Sequence, residues 1–252
     1  MEEPLLGSIV ACLYAMGFKA NEMYEIFKKY CNKIKYVDIV NIFKLIFGLI
    51  LTGKICIDGL NSGKQIEKLI NKIGKQKNIT NICEIQKTLV IPSVDLCNGN
   101  VLCFTSCEFR KSFSDHIVFV NDINIGRAVR ASCSYPVVFS PCQYKNIKLI
   151  DGGIRENVPW KELKALGADK VISIMFDDEI EHNCDKNLVE VAGRSISLLC
   201  RELSNYEMEG ADYVLKIRSD KVGLLDMKKI DELYELGYRQ TQKSIDKILQ
   251  TY

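Results

Sequence analysis

A strand, Ile147 to Ile150, is expected to end in Asp151, and Gly152 and Gly153 follow at once. Two glycines let the backbone turn sharply while the carboxylate stays at the strand's carboxyl end, the place where open α/β sheets build their sites. An isolated Asp-Gly-Gly is also an ordinary turn, so its meaning depends on its surroundings. Other reactive side chains are sparse. Ser132, Cys133 and Ser134 close a short helical pattern ahead of the aspartate, where helix termination and packing account for them. His116 follows Asp115 with no cysteine or serine motif beside it and reads as a surface or packing residue. Two histidines and the lack of any Cys-x-x-Cys pair give no ligand set for zinc, because Cys103 and Cys107 have no histidine close in sequence.

The elements that must position Asp151 alternate. Helical spacing of Ile9, Leu13 and Met16, stopped by Gly17, predicts a helix from Ser8 to Met16, and a second runs from Asn21 to Tyr30. Gln65 to Ile73 is a basic amphipathic helix. Thr88 to Val94 and Val101 to Thr105 are strands about the turn residues Asn98, Gly99 and Asn100. Further strands are expected at Ile117–Val120, Ile147–Ile150, Val171–Met175 and Tyr213–Ile217. Helices are expected at Gly126–Cys133, Leu188–Glu209 and Met227–Leu249, the last capped by Asp226. Strands interleaved with helices argue for a sheet covered on both faces.

Composition narrows the classes. The 252 residues fit one domain spanning 1–252, and 34 basic against 32 acidic residues leave a net charge of +2, which points to no nucleic-acid partner. Eleven scattered cysteines without a signal-peptide pattern read as reduced thiols, with the cytoplasm as the expected location. The longest apolar stretch, Leu45 to Leu51 between Lys44 and Lys54, falls short of the ~20 residues a spanning helix needs. Val37 to Leu51 is amphipathic only at its start; its length favours a buried core helix, and a lipid-facing flap making peripheral membrane contact is the alternative.

The stretch from Gly126 to Pro159 resembles the patatin-like phospholipases. Ala128 to Ser134, Pro136, Phe139 and Pro141 precede Asp151-Gly152-Gly153, and Asn157 and Pro159 follow. The resemblance continues through Leu163 to Ile174, and upstream through Gly59–Ile70 and Ile91–Ser106, so that it covers most of residues 7 to 176. It implies an α/β fold, a three-layer α/β/α sandwich with a mostly parallel central sheet. It also implies a serine and aspartate dyad that hydrolyses acyl esters of lipids, a lipid-degrading activity with no cofactor. Asp151 would be the base of that dyad. The family's nucleophile sits in a Gly-x-Ser-x-Gly turn before a helix, and Gly7 to Gly17 reads like that helix.

With Gly7 as the final glycine, the serine position falls on Leu5 and the first glycine position on Glu3. Nucleophile, glycine-rich oxyanion loop and first strand are thus expected to be missing from an N-terminally incomplete domain, and one lost oxyanion donor alone costs about 3 to 4 kcal/mol. Ser8 is the hydroxyl close by and the alternative nucleophile, although its place suits a helix start. Three readings follow: a catalytically incomplete lipid acyl hydrolase, an esterase using Ser8 or a segment from another chain, and a non-enzymatic lipid-sensing or interaction protein. A sheet lacking its first strand would expose an edge, and self-association is expected through it.

Overall fold

Successive residues of β2 (Val101–Thr105) enter different cores. Leu102 and Phe104 pack with Ile91, Leu149 and helical residues, whereas Val101 and Cys103 pack with Val90, Leu163 and Leu166. This is the period of two that a strand imposes. All five residues are buried, so the sheet is covered on both faces, as a three-layer α/β/α sandwich requires. The computed structural model describes residues 4–30, 37–109, 114–177, 188–218 and 229–251.

The larger core lies under α1 (Pro4–Ala15), α4 (Lys64–Lys75) and α5 (Ile125–Ser132), which supply Leu13, Ile66, Ile70, Ile73, Ile125 and Val129. The other face is covered by α6 (Trp160–Ala165) through Leu163 and, just beyond it, Leu166. Helix α2 (Ala20–Tyr30) meets the C-terminal α8 (Ile230–Thr251), where Lys28 Nζ lies 3.0 Å from Asp231 Oδ1. Asp226 and Met227, the expected cap and start of α8, lie outside the described residues.

The five-stranded sheet has the order β3-β2-β1-β5-β4, with β1 at Val90–Asp95, β3 at Ile117–Val120, β4 at Cys142–Tyr144 and β5 at Ile147–Asp151. A separate parallel pair is formed by β6 (Ile172–Asp177) and β7 (Tyr213–Arg218), joined through α7 (Leu188–Met208). The α/β class is as expected, but the pairing is mixed rather than mostly parallel. β1 runs antiparallel to β2 and β5, and β4 antiparallel to β5, while β2–β3 and β6–β7 are parallel. The cause is connection length: a few residues about Asn98–Asn100 or Lys145 can only reverse the chain, whereas a parallel neighbour needs a crossover of a dozen residues or more.

Two elements depart from their expected placement. Helix α1 starts at Pro4 instead of Ser8, because proline suits the first helical position, where its missing N–H costs nothing. Helix α3 (Ile39–Thr52) is not a buried core helix: it contains no buried residue. It is nonetheless cleanly capped, by Asp38, whose Oδ1 accepts from Val40 N at 3.0 Å, and by Gly53, whose N–H reaches Leu49 O at 3.1 Å. Its partly buried positions are Asn41, Leu45 and Gly48, and its other apolar residues are exposed.

Candidate active site

Strand β5 delivers Asp151 opposite Ser93 of β1, and the chain then turns through a single 3-10 turn, Gly152–Ile154. Gly152 is required there: a Cβ on it would lie 2.4 Å from Pro92 O, so β1 and the turn approach backbone to backbone. The turn aims Gly153 N–H at Asp151 Oδ1, 2.8 Å away, and Asp151 N donates to Ser134 O at 3.1 Å. Asp151 is 1% exposed, and its second oxygen, Oδ2, has no hydrogen-bond partner among the described residues. Burial pushes this carboxyl from its ordinary 3.8 up to about 7, against the pull of the Gly153 N–H.

Asp151 borders a cavity of about 230 Å³ together with Gly7 and Ser8 of α1, Ser132 of α5, and Ile174 and Phe176 of β6. The Ser8 hydroxyl is engaged: its Oγ lies 3.3 Å from Cys133 Sγ. Burial drives the Cys133 thiol far above its ordinary range, so it stands there as a neutral thiol. Because α1 begins at Pro4, Ser8 occupies its second turn, and the first-turn N–H groups without an intrahelical acceptor belong to Leu5 and Leu6. Leu5, at the position matched to the family serine, is thus inside a helix. Ser134 Oγ donates to Arg130 O at 2.9 Å, a helix-end bond, and His116 is exposed ahead of β3.

Residues that the sequence did not single out surround the segment after Asp151. Glu207 of α7 accepts from Asn157 N at 3.0 Å and Val158 N at 2.8 Å, and Asn157 Nδ2 donates to Ser204 Oγ. Glu162 is fully buried on α6, and neither of its carboxylate oxygens has a hydrogen-bond partner among the described residues. Burial, then the negative charge of Glu162, raises the carboxyl of Glu156, which also borders the cavity. On the far side, the buried Arg130 guanidinium donates to Ser62 O at 2.6 Å and to Ser140 O at 3.3 Å, holding the loop that leads into α4 to the one that leads into β4. An acid in an amphipathic pattern reads as solvated, and its clamp partners lie some fifty residues away; only Asn157 carried a signal, through the family motif.

These side chains set an apolar wall at Ile174 and Phe176 beside a carboxyl oxygen, Asp151 Oδ2, that can hold or take a proton. A family model described as patatin-like phospholipase matches residues 6–164. The chain is similar to an uncharacterized protein of Acanthamoeba polyphaga mimivirus, 25% identical over 263 residues, covering 97% of this chain and 82% of that protein. It is similar also to an uncharacterized protein of Bacillus subtilis, 27% identical over 161 residues, covering 61% of this chain and 52% of that one.

Proposed function

The chain belongs to the patatin-like phospholipase family, and from that premise we propose that it is a lipid acyl hydrolase scaffold that keeps the base of the dyad and lacks the nucleophile. The observation that carries this reading is Asp151: a buried carboxylate, one of whose oxygens has no partner among the described residues, bordering a cavity that it shares with the start of α1. A carboxyl pushed up to about 7 holds and releases a proton near neutrality, which is what a base for a hydroxyl needs. Leu5 offers no hydroxyl, so the chain as it stands binds an acyl ester of a lipid and does not turn it over. The same chemistry would place the protein in lipid degradation, and its scattered thiols suit the cytoplasm.

A second reading, an esterase using Ser8, is favoured by one observation: Ser8 borders the same cavity as Asp151. Against it, the hydroxyl is engaged by Cys133 rather than by the carboxylate. Incubation with a fluorophosphonate probe separates the two. We expect no labelling and no release from a fluorogenic acyl ester. Stoichiometric labelling that disappears in Ser8→Ala, with turnover that disappears in Asp151→Asn, would replace the first reading by the second. Labelling that survives Ser8→Ala would reject both.

A further inference from the structure

Helix α3 is amphipathic inside out. Asn41, Leu45 and Gly48 form one partly buried stripe, spaced by four and three residues. This stripe is fastened to the chain that returns after the helix: Asn41 Nδ2 donates to Gly59 O at 3.1 Å, and a Cβ on Gly48 would lie 2.9 Å from Cys56 Sγ. The return segment is itself fixed, since Leu60 N and Asn61 N donate to Val137 O and Val138 O at 3.0 and 2.9 Å, on the loop ahead of β4. The helix therefore stands on a firm base with its apolar side turned out. Phe43, Phe47, Ile50 and Leu51 are 57%, 58%, 73% and 75% exposed.

At about 100° per residue, the exposed apolar residues sweep an arc of roughly 200°, from Leu49 through Ile46 and Phe43 to Leu51. A core-facing or partner-facing helix presents a stripe of little more than about 100°, so one groove or one second helix would leave half of this arc in water. A lipid phase covers the whole of it. Between Ile39 and Ile57 the charged residues are Lys44 and Lys54, both cations with no acid among them, as suits headgroup phosphates reached by flexible stems. Fourteen residues give about 21 Å of helix, too short for a hydrocarbon core of about 30 Å, and no described helix is long and apolar enough to cross a membrane.

We propose that α3 is an interfacial anchor that embeds its apolar arc in a phospholipid surface. The choice of lipid over another apolar phase rests on the acyl hydrolase reading, and the test is built to be independent of it. Vesicles of ether-linked phosphatidylcholine, with and without ether-linked phosphatidylglycerol, offer the surface without a cleavable ester. The chain is expected to co-sediment with them, more with the anionic lipid, and Phe47→Trp emission is expected to shift to the blue. Phe43→Asp and Phe47→Asp, both at exposed positions, are expected to lower partitioning by about tenfold or more each, with circular dichroism and thermal midpoint unchanged. No binding to either vesicle, or binding indifferent to both substitutions, overturns the proposal. So does a dimer in sedimentation velocity that both substitutions dissolve while vesicles leave the chain unbound, because the arc would then belong to a second copy.

Discussion

Among the described residues the Asp151 carboxyl accepts from Gly153 N–H alone, and its raised pKa is a statement about folding. The folded pKa, about 7, lies above the ordinary 3.8, so between those values the folded chain binds a proton that the unfolded chain has lost. The resulting stability is complete below the lower value and is lost as pH rises through the higher one. Asp151→Asn is therefore expected to raise the thermal midpoint at pH 8 and to change it little near pH 4. At about 1.4 kcal/mol per pKa unit the difference amounts to a few kcal/mol, readable by calorimetry across pH. A midpoint lowered by the same amount at both pH values would show that the carboxylate is compensated after all. At this scale the sequence made Asp151 legible, because a strand followed by two glycines advertises a carboxylate held at a sheet end. Glu162 and Glu207 were not legible: their burial depends on what α6 and α7 bring against them, and an acid's local pattern carries no trace of that.

The element that fixes the aspartate is the turn Gly152–Ile154, seated against Pro92 of β1. Since a methyl group at Gly152 meets a backbone oxygen rather than a flexible side chain, neither strand can yield cheaply. Gly152→Ala is expected to destabilise the chain by about 1 to 3 kcal/mol, measured by urea unfolding. An unchanged midpoint would mean that β1 and the turn are less tightly seated. Most elements were readable from period and punctuation: β2 and β3 fall where expected, as do the start of α7 and, within a residue, α5. β4 and α6, three and six residues long, are too short for a period to show. α3 was misplaced for a different reason, because an apolar run records that a residue avoids water and not which apolar medium receives it.

Across the whole molecule the sheet is divided, and the division leaves a free edge. Ile174, Met175 and Phe176 are consecutive and all border the cavity, which a strand achieves only when its backbone edge faces that space. With β7 on its other side, β6 offers this edge to another strand, and Ile174 is 62% exposed beside it. We expect self-association through β6. Sedimentation velocity in a Phe43→Asp, Phe47→Asp background, where α3 contributes nothing, should show oligomers that Ile174→Lys diminishes. A monomer at all concentrations would remove the edge from consideration. Strand pairing was the least legible feature of the fold, because alternating strands and helices suggest parallel crossovers, while the short turns that reverse β2 and β5 settle the direction locally.

The division has a further consequence in time. Every strand of the larger sheet lies between Val90 and Asp151, and every buried residue of the largest core lies between Ile9 and Leu149. On a ribosome the segment holding this unit emerges well before β7, and N-terminal units fold first. β6 must wait for β7, which emerges only after the whole of α7. The cavity takes Asp151 from the early unit and Ile174 to Phe176 from the late one. A nascent chain therefore carries the acid before it carries the cleft. Chains stalled shortly after α6 has left the exit tunnel should already resist protease from Val90 to Asp151.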